Sequence, residues 1–241
     1  MKDTDTIVNI INKLPKGYVF TYEDFMHEVK SKQAAVKALN RMVASGKIAK
    51  LSKGKYFKPE QSVFGTLAPE QYQVVKDLLE DNNKLIGYLT GLSVYNQLGL
   101  TTQVSNTIQI GKNEVRPAFK RAHYKIAFIR QKNTITKDSI PLLQLLDAIK
   151  YIKKIPDTTV AKACLRFMAI LKEKSAEDIK TIIRLALKYP PSTRALLGAM
   201  LEQLGYTEHL QTLKASLNPI TTYKIEDLEQ IVHTTNNWNI V

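Results

Sequence analysis

The chain has 241 residues, of which 44% are hydrophobic and 24% are charged, so it is long enough to form two domains with separate cores. No apolar run approaches the roughly 20 residues of a membrane span, and acidic residues occupy the N-terminal region where a signal peptide is basic. The single cysteine, Cys164, excludes an internal disulfide. We therefore expect a globular cytoplasmic protein without a membrane partner. The net charge of +13 indicates either acidic partners such as nucleic acid or a lysine-rich surface that only confers solubility.

The N-terminal region begins with three short predicted elements. Thr4 to Leu14 has one apolar face and is predicted to be a helix, and Tyr18 to Phe20 is predicted to be a short strand. Thr21 is then expected to cap a helix running to Val29, because Asp24 stands at the spacing of a capping box. The N-terminus of this second helix, at Thr21 and Tyr22, is a candidate phosphate-binding point.

The stretch from Ser31 to Lys58 has the pattern of a third helix followed by a basic β-hairpin. Apolar residues recur from Ala35 to Val43 at the spacing of one buried helix face, and Gly46 stands where a left-handed residue ends a helix. Alternating strands are predicted on both sides of a turn at Ser52 to Gly54. The element order predicts an N-terminal winged helix-turn-helix domain over residues 1–60. The outer helix face carries no acid and presents Lys32, Gln33, Lys37, Asn40 and Arg41.

The rest of the chain is predicted to form one larger region in two parts, which makes the whole fold α+β. Pro59 to Gly65 is interpreted as a linker, residues 61–136 as a small mixed α/β segment, and residues 137–241 as mainly helical. Within the mixed segment, Ser105 to Ile110 is predicted to be an edge strand ending at Gly111. The remaining predicted strands are Leu85–Leu89 and Tyr124–Ile129, and the predicted helices are Pro69–Leu79, Ser93–Leu98, Ile140–Ile155, Asp157–Lys172, a helix capped by Ser175, Ser192–Leu204 and Glu208–Leu217.

A second basic cluster lies in the mixed segment. It contains a single acid, Glu114, within 21 residues, and it is either a second surface for nucleic acid or an acidic partner, or a solvated face. Its basic residues are Lys112, Arg116, Lys120, Arg121, Lys125, Arg130 and Lys132. Catalytic and metal-binding patterns are not found, because the four histidines are scattered and neither a phosphate-binding loop nor a nucleophile elbow occurs. We therefore expect no enzymatic activity, no metal and no cofactor.

Two sequence segments and the helical C-terminal half together carry a family resemblance. The predicted wing ends in SKGKYF, and YLTGLSVYNQLGLTTQVSNTIQI follows in the mixed segment. From about Tyr18 to Leu204 the chain resembles the AbiEi-type antitoxins of type IV toxin–antitoxin systems and related bacterial transcriptional regulators. The resemblance implies a repressor that binds its own promoter through the winged helix. It also implies that residues 61–241 neutralise a nucleotidyltransferase-like toxin.

Residue roles in DNA binding follow from side-chain chemistry. Gln33 and Asn40 are suited to adenine and Arg41 to guanine, whereas Lys32 and Lys37 are suited to phosphates. Three wing lysines, Lys50, Lys53 and Lys55, are expected to contact the DNA backbone or minor groove. A symmetric dimer would require an inverted repeat in the promoter, whereas two monomers binding side by side would not. The alternative is an interaction module that binds protein or RNA without reading a DNA sequence.

Overall fold

A computed structural model describes residues 3–29, 31–63, 65–82 and 84–241, which form an α+β fold with several small antiparallel sheets. The chain divides into two compact units. The first unit comprises the chain to Leu78 together with Phe119–Lys125, and the second comprises Leu79–Ala118 and Ile126–Val241. The first unit therefore extends beyond residue 60, where the first predicted domain ends.

The N-terminal part of the first unit contains two α-helices, one 3-10 turn and a three-stranded sheet. The third strand lies between the other two and pairs antiparallel with both. The buried face of the first helix, with Ile7 and Ile11, packs with Phe20, Phe25 and Leu39 in one core. The elements are α1 (Asp3–Lys13), β1 (Val19–Phe20), α2 (Lys32–Ala44), β2 (Ala49–Ser52) and β3 (Lys55–Phe57). The predicted first helix, short strand, third helix and hairpin are confirmed, and Gly46 has the predicted left-handed conformation, with φ 71°.

The helix predicted from Thr21 to Val29 is not formed. A three-residue 3-10 turn, Glu23–Phe25, replaces it. The predicted contact between Thr21 and Asp24 is present, because the Thr21 N–H donates to Asp24 Oδ2 over 2.6 Å. Thr21 Oγ1 in turn accepts from the Glu23 N–H over 3.1 Å. Such local side-chain bonds give the backbone an alternative to helical hydrogen bonding, and here the alternative prevails.

The predicted linker is a two-stranded ribbon. Strands β4 (Glu60–Ser62) and β5 (Gly65–Leu67) pair antiparallel, and Phe64, also in the predicted linker, lies outside the described residues. Ser62 Oγ donates to the Gly65 carbonyl over 2.9 Å, and Gln61 and Thr66 bond across the ribbon. The helix that follows is α3 (Gln71–Leu79). Polar side chains contact each other across this ribbon. A polar composition of this kind is also typical of a linker, so the sequence did not predict the pairing.

A four-stranded sheet contains the strands of the mixed segment, in the order β10-β11-β9-β8. The prediction of β9 as an edge strand is wrong, because it lies between two neighbours. Gly111 lies inside this strand, where a Cβ atom would approach Cζ of Tyr88 to 2.4 Å, so the glycine makes room for the tyrosine ring. The elements are a short β6–β7 ribbon (Glu80–Asp81, Lys84–Leu85), β8 (Gly87–Thr90), α4 (Leu92–Gln97), β9 (Thr107–Lys112), β10 (Phe119–Arg121) and β11 (Tyr124–Arg130).

The region from residue 137 onward is helical, as predicted. The helix predicted to reach Ile155 ends at Lys150 and continues as a 3-10 turn, Ile152–Lys154. Pro156 disfavours a helical residue before it, and Ile155 is extended. The tail packs back onto the helices, with Trp238 buried beside Gly198. The helices are α5 (Ile140–Lys150), α6 (Val160–Lys172), α7 (Ala176–Ala186, with the predicted Ser175 cap), α8 (Pro191–Gln203) and α9 (Leu210–Ala215).

Among the described residues, no helix has both the length and the apolar character required to cross a bilayer.

Candidate nucleic-acid interface

The solvent face of α2 presents the side chains that the sequence pattern selects. Its opposite face is buried through Ala35, Ala38, Leu39 and Met42. Ser31 caps the helix by accepting the Ala34 N–H over 3.3 Å. The buried stripe thus orients the polar residues outward. All five residues of α2 that are predicted to contact DNA are exposed: Lys32, Gln33, Lys37, Asn40 and Arg41.

Positive charge continues from this helix into the hairpin. The sequence has no acid between Glu28 and Glu60. The exposed cations of this stretch are Lys32, Lys37, Arg41, Lys47, Lys50 and Lys53. Lys53 stands at the hairpin tip before Gly54, whose φ of 75° closes the turn. An open surface with several cations and no acid in the same stretch of chain is suited to a phosphate backbone.

Asn40 is tied to the hairpin. Its side-chain oxygen accepts a hydrogen bond from the hydroxyl of Tyr56 over 3.3 Å, and Tyr56 is buried in the core of the first unit. A carbonyl oxygen has two lone pairs, so Asn40 retains one acceptor site and its amide donors. The contact also couples the orientation of α2 to β3.

The region around Thr21 and Tyr22 differs from the prediction. Without a second α-helix there is no helix N-terminus to hold a phosphate, and the Thr21 N–H is bonded to Asp24. The Lys32 ammonium lies 4.5 Å from the centre of the Tyr22 ring, and hydrogen bonding to Tyr22 raises the pKa of Lys32. Tyr22 therefore positions a cation of α2, while Glu23 and Asp24 are exposed acids beside it.

Two predicted cations, Lys55 and Arg121, are both paired with Asp77 inside the first unit. The Arg121 guanidinium donates to both carboxylate oxygens over 2.6 and 3.0 Å, and to the Val74 carbonyl over 2.7 Å. Lys55 Nζ lies 3.2 Å from Asp77 Oδ2. Only 8% of the Arg121 side chain and 18% of the Lys55 side chain are exposed. These contacts join α3, β3 and β10 within the unit, so neither charge is presented on the open face.

Burial alone would raise the pKa of Asp77, but the hydrogen bonds and charges of Arg121 and Lys55 outweigh it and lower this pKa below its ordinary value. Asp77 is therefore a carboxylate that holds two cations in place.

The second basic cluster is divided between the units. Lys120 and Lys125 are exposed in the first unit on either side of buried Arg121. In the second unit Arg116 lies 5.4 Å from the Phe128 ring centre, and Lys112 borders a cavity with Asn113 and Glu114. Arg130 borders a different cavity. The basic residues of this sequence segment are therefore divided between the two units, and Arg121 among them is buried.

The second unit also contains a buried carboxylate that the sequence analysis missed. Asp147 is 2% exposed and accepts hydrogen bonds from Tyr88 and Tyr189 over 2.8 Å and from Thr90 over 3.0 Å. Burial raises the pKa of Asp147, against the opposing effects of these bonds and of the Lys150 charge. The signal was an acid inside the apolar run LLQLLDAI, where a charged residue requires internal partners.

Among the described residues, no group of three or more His, Cys, Asp and Glu side chains could hold a metal ion.

Comparison with known proteins identifies the fold and the family. The structure is similar to the crystal structure of the RV2827C protein from Mycobacterium tuberculosis, with a TM-score of 0.57 and 14% sequence identity over 90% of this chain and 82% of that chain. At that identity the similarity shows a shared fold. No curated protein matches the sequence. Residues 6–179 match the family of unknown function DUF6088, which covers more than half of the chain, and the protein therefore belongs to that family.

Proposed function

We propose that the first unit is a winged helix that binds double-stranded DNA, and that the protein is a cytoplasmic transcriptional repressor of its own promoter. The observation that carries the proposal is the exposed face of α2, where three cations and two amide side chains lie together on a helix without an acid. An α-helix fits the major groove, where amide and guanidinium groups distinguish bases. The adjoining hairpin supplies Lys50 and Lys53 for the DNA backbone.

Within this proposal the residues differ in what they recognise. Arg41 reads guanine and Gln33 reads adenine, while Asn40 reads adenine through its amide donors and its remaining lone pair. Lys32, Lys37, Lys50 and Lys53 contact phosphates and fix the register. Lys55 is not assigned to DNA, because its ammonium is paired with Asp77.

The direct test compares binding of the purified protein to its own upstream DNA and to a scrambled duplex, at low and moderate salt. We expect selective binding that weakens steeply with salt, because phosphate contacts release counterions. Arg41→Ala should cost about 1–3 kcal/mol on the upstream DNA and little on the scrambled duplex, whereas Lys53→Ala should weaken both equally. Equal losses from both variants on both duplexes would contradict these roles.

A matched control is Lys162→Ala, which removes an exposed lysine from α6 in the second unit. It lowers the net charge as much as Lys53→Ala and should leave DNA binding within experimental error. Weak binding that changes little with salt would instead favour a protein-binding module.

The resemblance to AbiEi-type antitoxins supports a second part of the proposal, that the second unit neutralises a nucleotidyltransferase-like toxin. Co-expression tests this directly: the full chain and its Arg41→Ala variant should both relieve growth arrest by a toxin encoded beside the gene. Relief that requires an intact α2 face would contradict an antitoxin role of the second unit.

A further inference from the structure

The second unit contains an open cavity of about 630 Å³ whose charged lining residues are all cations. Gln131, Leu187, Tyr189, Pro190 and Pro191 complete the lining. The volume lies within the range of small-molecule sites, roughly 300–1,000 Å³. The five cations that line it are Arg130, Lys132, Lys150, Lys188 and Arg194.

In the part of the chain that the structure describes, none of the five cations takes part in an ion pair, although the charge of Lys150 acts on buried Asp147. Lys188 Nζ donates to the Lys132 carbonyl over 3.3 Å, and Arg194 Nη1 donates to the Ser216 carbonyl over 2.9 Å, so two of the cations are held by neutral acceptors. Five like charges around one cavity repel each other, and an anion would relieve that repulsion.

Two lining residues of the cavity, Gln131 and Tyr189, belong to the buried polar network around Asp147. Gln131 Nε2 donates to the hydroxyls of Tyr88 and Tyr189 over 2.8 Å, and Tyr189 donates to Asp147. Gln131 Oε1 accepts from the backbone and side chain of Asn133. These contacts fix Gln131 and Tyr189, which line the cavity. A binding site keeps one geometry when hydrogen bonds fix the side chains that line it.

Most of the cations lie close in sequence to residues of this hydrogen-bond network. Arg130 and Lys132 flank Gln131, Lys188 precedes Tyr189, and Lys150 lies one helical turn after Asp147 on α5. Four of the five cations therefore belong to segments in which a neighbouring side chain is buried and hydrogen-bonded.

One further feature favours an anion in the cavity. Helix α8 begins there at Pro191, has no acid in its first turn, and adds the positive end of its dipole.

From these observations we infer that the cavity of the second unit binds a small phosphorylated ligand with at least two phosphate groups, of the size of a nucleoside di- or triphosphate. Arginine and lysine together bind the phosphates, and the leucine and proline walls accept the less polar part of the ligand. A concave site of this volume suits a small molecule better than a nucleic-acid backbone, which tracks along grooves and open faces. The inference is independent of DNA binding by the first unit.

The test is calorimetric titration of the full chain with ATP, with inorganic pyrophosphate and with adenosine. We expect ATP and pyrophosphate to bind and adenosine to bind at least about tenfold more weakly than ATP, because the phosphates supply the attraction. The double variant Lys132→Glu/Lys188→Glu should lose at least about tenfold in ATP affinity.

The matched control is Lys162→Glu/Lys172→Glu, which makes the same charge change at exposed positions of α6. It should retain ATP binding, and Trp238 fluorescence should show that both double variants keep a folded second unit. Equal losses of ATP affinity in the two double variants would mean that ATP is attracted only by the net charge of the protein. That result would overturn the inference. So would absence of ATP and pyrophosphate binding to the wild type.

Titration with a short DNA duplex tests whether the cavity binds the phosphates of a nucleic acid instead of those of a small ligand. Both double variants should change DNA affinity equally. If only the cavity variant loses DNA binding, the cavity serves a nucleic-acid backbone and the small-ligand inference is wrong.

Discussion

The two units hold positive charge in different geometries. In the first unit the cations of α2 and its hairpin lie on an open face, and the less exposed cations Arg121 and Lys55 are both paired with Asp77. In the second unit five cations surround a cavity and the nearby carboxylate, Asp147, is bonded to hydroxyl groups instead. An open cationic face suits a long polyanion, whereas a cationic cavity suits a small one. Net charge alone does not distinguish these uses.

The two carboxylates illustrate the same difference at atomic scale. Asp77 is held by charges, which lower its pKa, and 39% of its side chain remains exposed. Asp147 is held by neutral donors in a buried site, and burial raises its pKa against the opposing effect of those hydrogen bonds. Removing either side chain should therefore destabilise its unit through a different physical cause.

The largest expected effect is that of Asp147→Ala. The hydroxyls of Tyr88, Tyr189 and Thr90 would lose a shared acceptor in a buried site, and unsatisfied buried donors of this kind should cost at least about 3 kcal/mol in total. Urea unfolding followed by the fluorescence of Trp238, which is the single tryptophan and is buried in the second unit, measures this loss.

The control for this variant is Asp138→Ala, since Asp138 is exposed just before α5. It should change the unfolding free energy by no more than about 0.5 kcal/mol. Equal urea midpoints for the two variants would mean that the Asp147 network does not support the second unit.

A smaller loss, about 2 kcal/mol, is expected for Asp77→Ala. It would leave Arg121 buried without a counter-charge, and removing one partner of a fully buried pair costs about 3–5 kcal/mol. The partial exposure of Asp77 reduces the expected value. Hydrogen exchange of the α3 and β3 amides reports this loss within the first unit.

Glu60→Ala provides the comparison, because the Lys16–Glu60 pair is separated by 3.6 Å and both side chains are about half exposed. Such a surface pair is worth about 0–1 kcal/mol. If Glu60→Ala and Asp77→Ala reduce protection equally, burial of Arg121 is not what makes Asp77 important.

Gly198→Ala should cost about 1–2 kcal/mol in the second unit. A Cβ atom there would approach the Trp238 ring to 2.2 Å, and overpacking of this kind costs about 1–3 kcal/mol. The higher helix propensity of alanine offsets at most about 1 kcal/mol of that cost. The same fluorescence titration measures the change, and the emission spectrum of Trp238 should shift as well.

Gly54→Ala is the corresponding change in the first unit, where a Cβ atom meets nothing within 4 Å and the cost comes only from a φ of 75°. It should destabilise by about 1 kcal/mol and leave the Trp238 spectrum unchanged. An unchanged spectrum in Gly198→Ala would contradict the close packing of the tail.

The smallest expected effects concern how the stability contributions of Asp77 and Asp147 change with pH, and the two changes have opposite signs. The pKa of Asp77 is lowered on folding, so its contribution is present above the ordinary value of 3.8 and is lost as the pH falls through the folded pKa. The pKa of Asp147 is raised, so its contribution is present below the ordinary value of 3.8 and is lost as the pH rises through the folded pKa.

Urea midpoints between about pH 3 and pH 7 test the sign of both shifts. The stability advantage of wild type over Asp77→Asn should shrink with falling pH, and its advantage over Asp147→Asn should shrink with rising pH. The same pH trend for both pairs would refute the contrast between the two carboxylates.

Local signals in the sequence predicted α1, α2, the hairpin, the left-handed Gly46 and the Ser175 cap. Each depends on residues within about four positions of one another, where helix period, capping and turn chemistry act. The exposed set on α2 followed from the same periodicity. The Thr21–Asp24 contact was also predictable, but local rules did not show that it would prevail over the second helix.

Tertiary structure decided how the charged residues are used. Asp77 and Arg121 are 44 positions apart, and Asp147 and Tyr189 are 42 apart, so no local pattern connects them. The internal position of β9 and the division of the second basic cluster likewise depend on pairing between distant segments. Sequence by itself determined how much positive charge the protein carries and which helix face exposes it. Only the tertiary structure decided which cations are paired with a carboxylate and which surround a cavity, because ion pairs and cavities form between segments that the fold brings together.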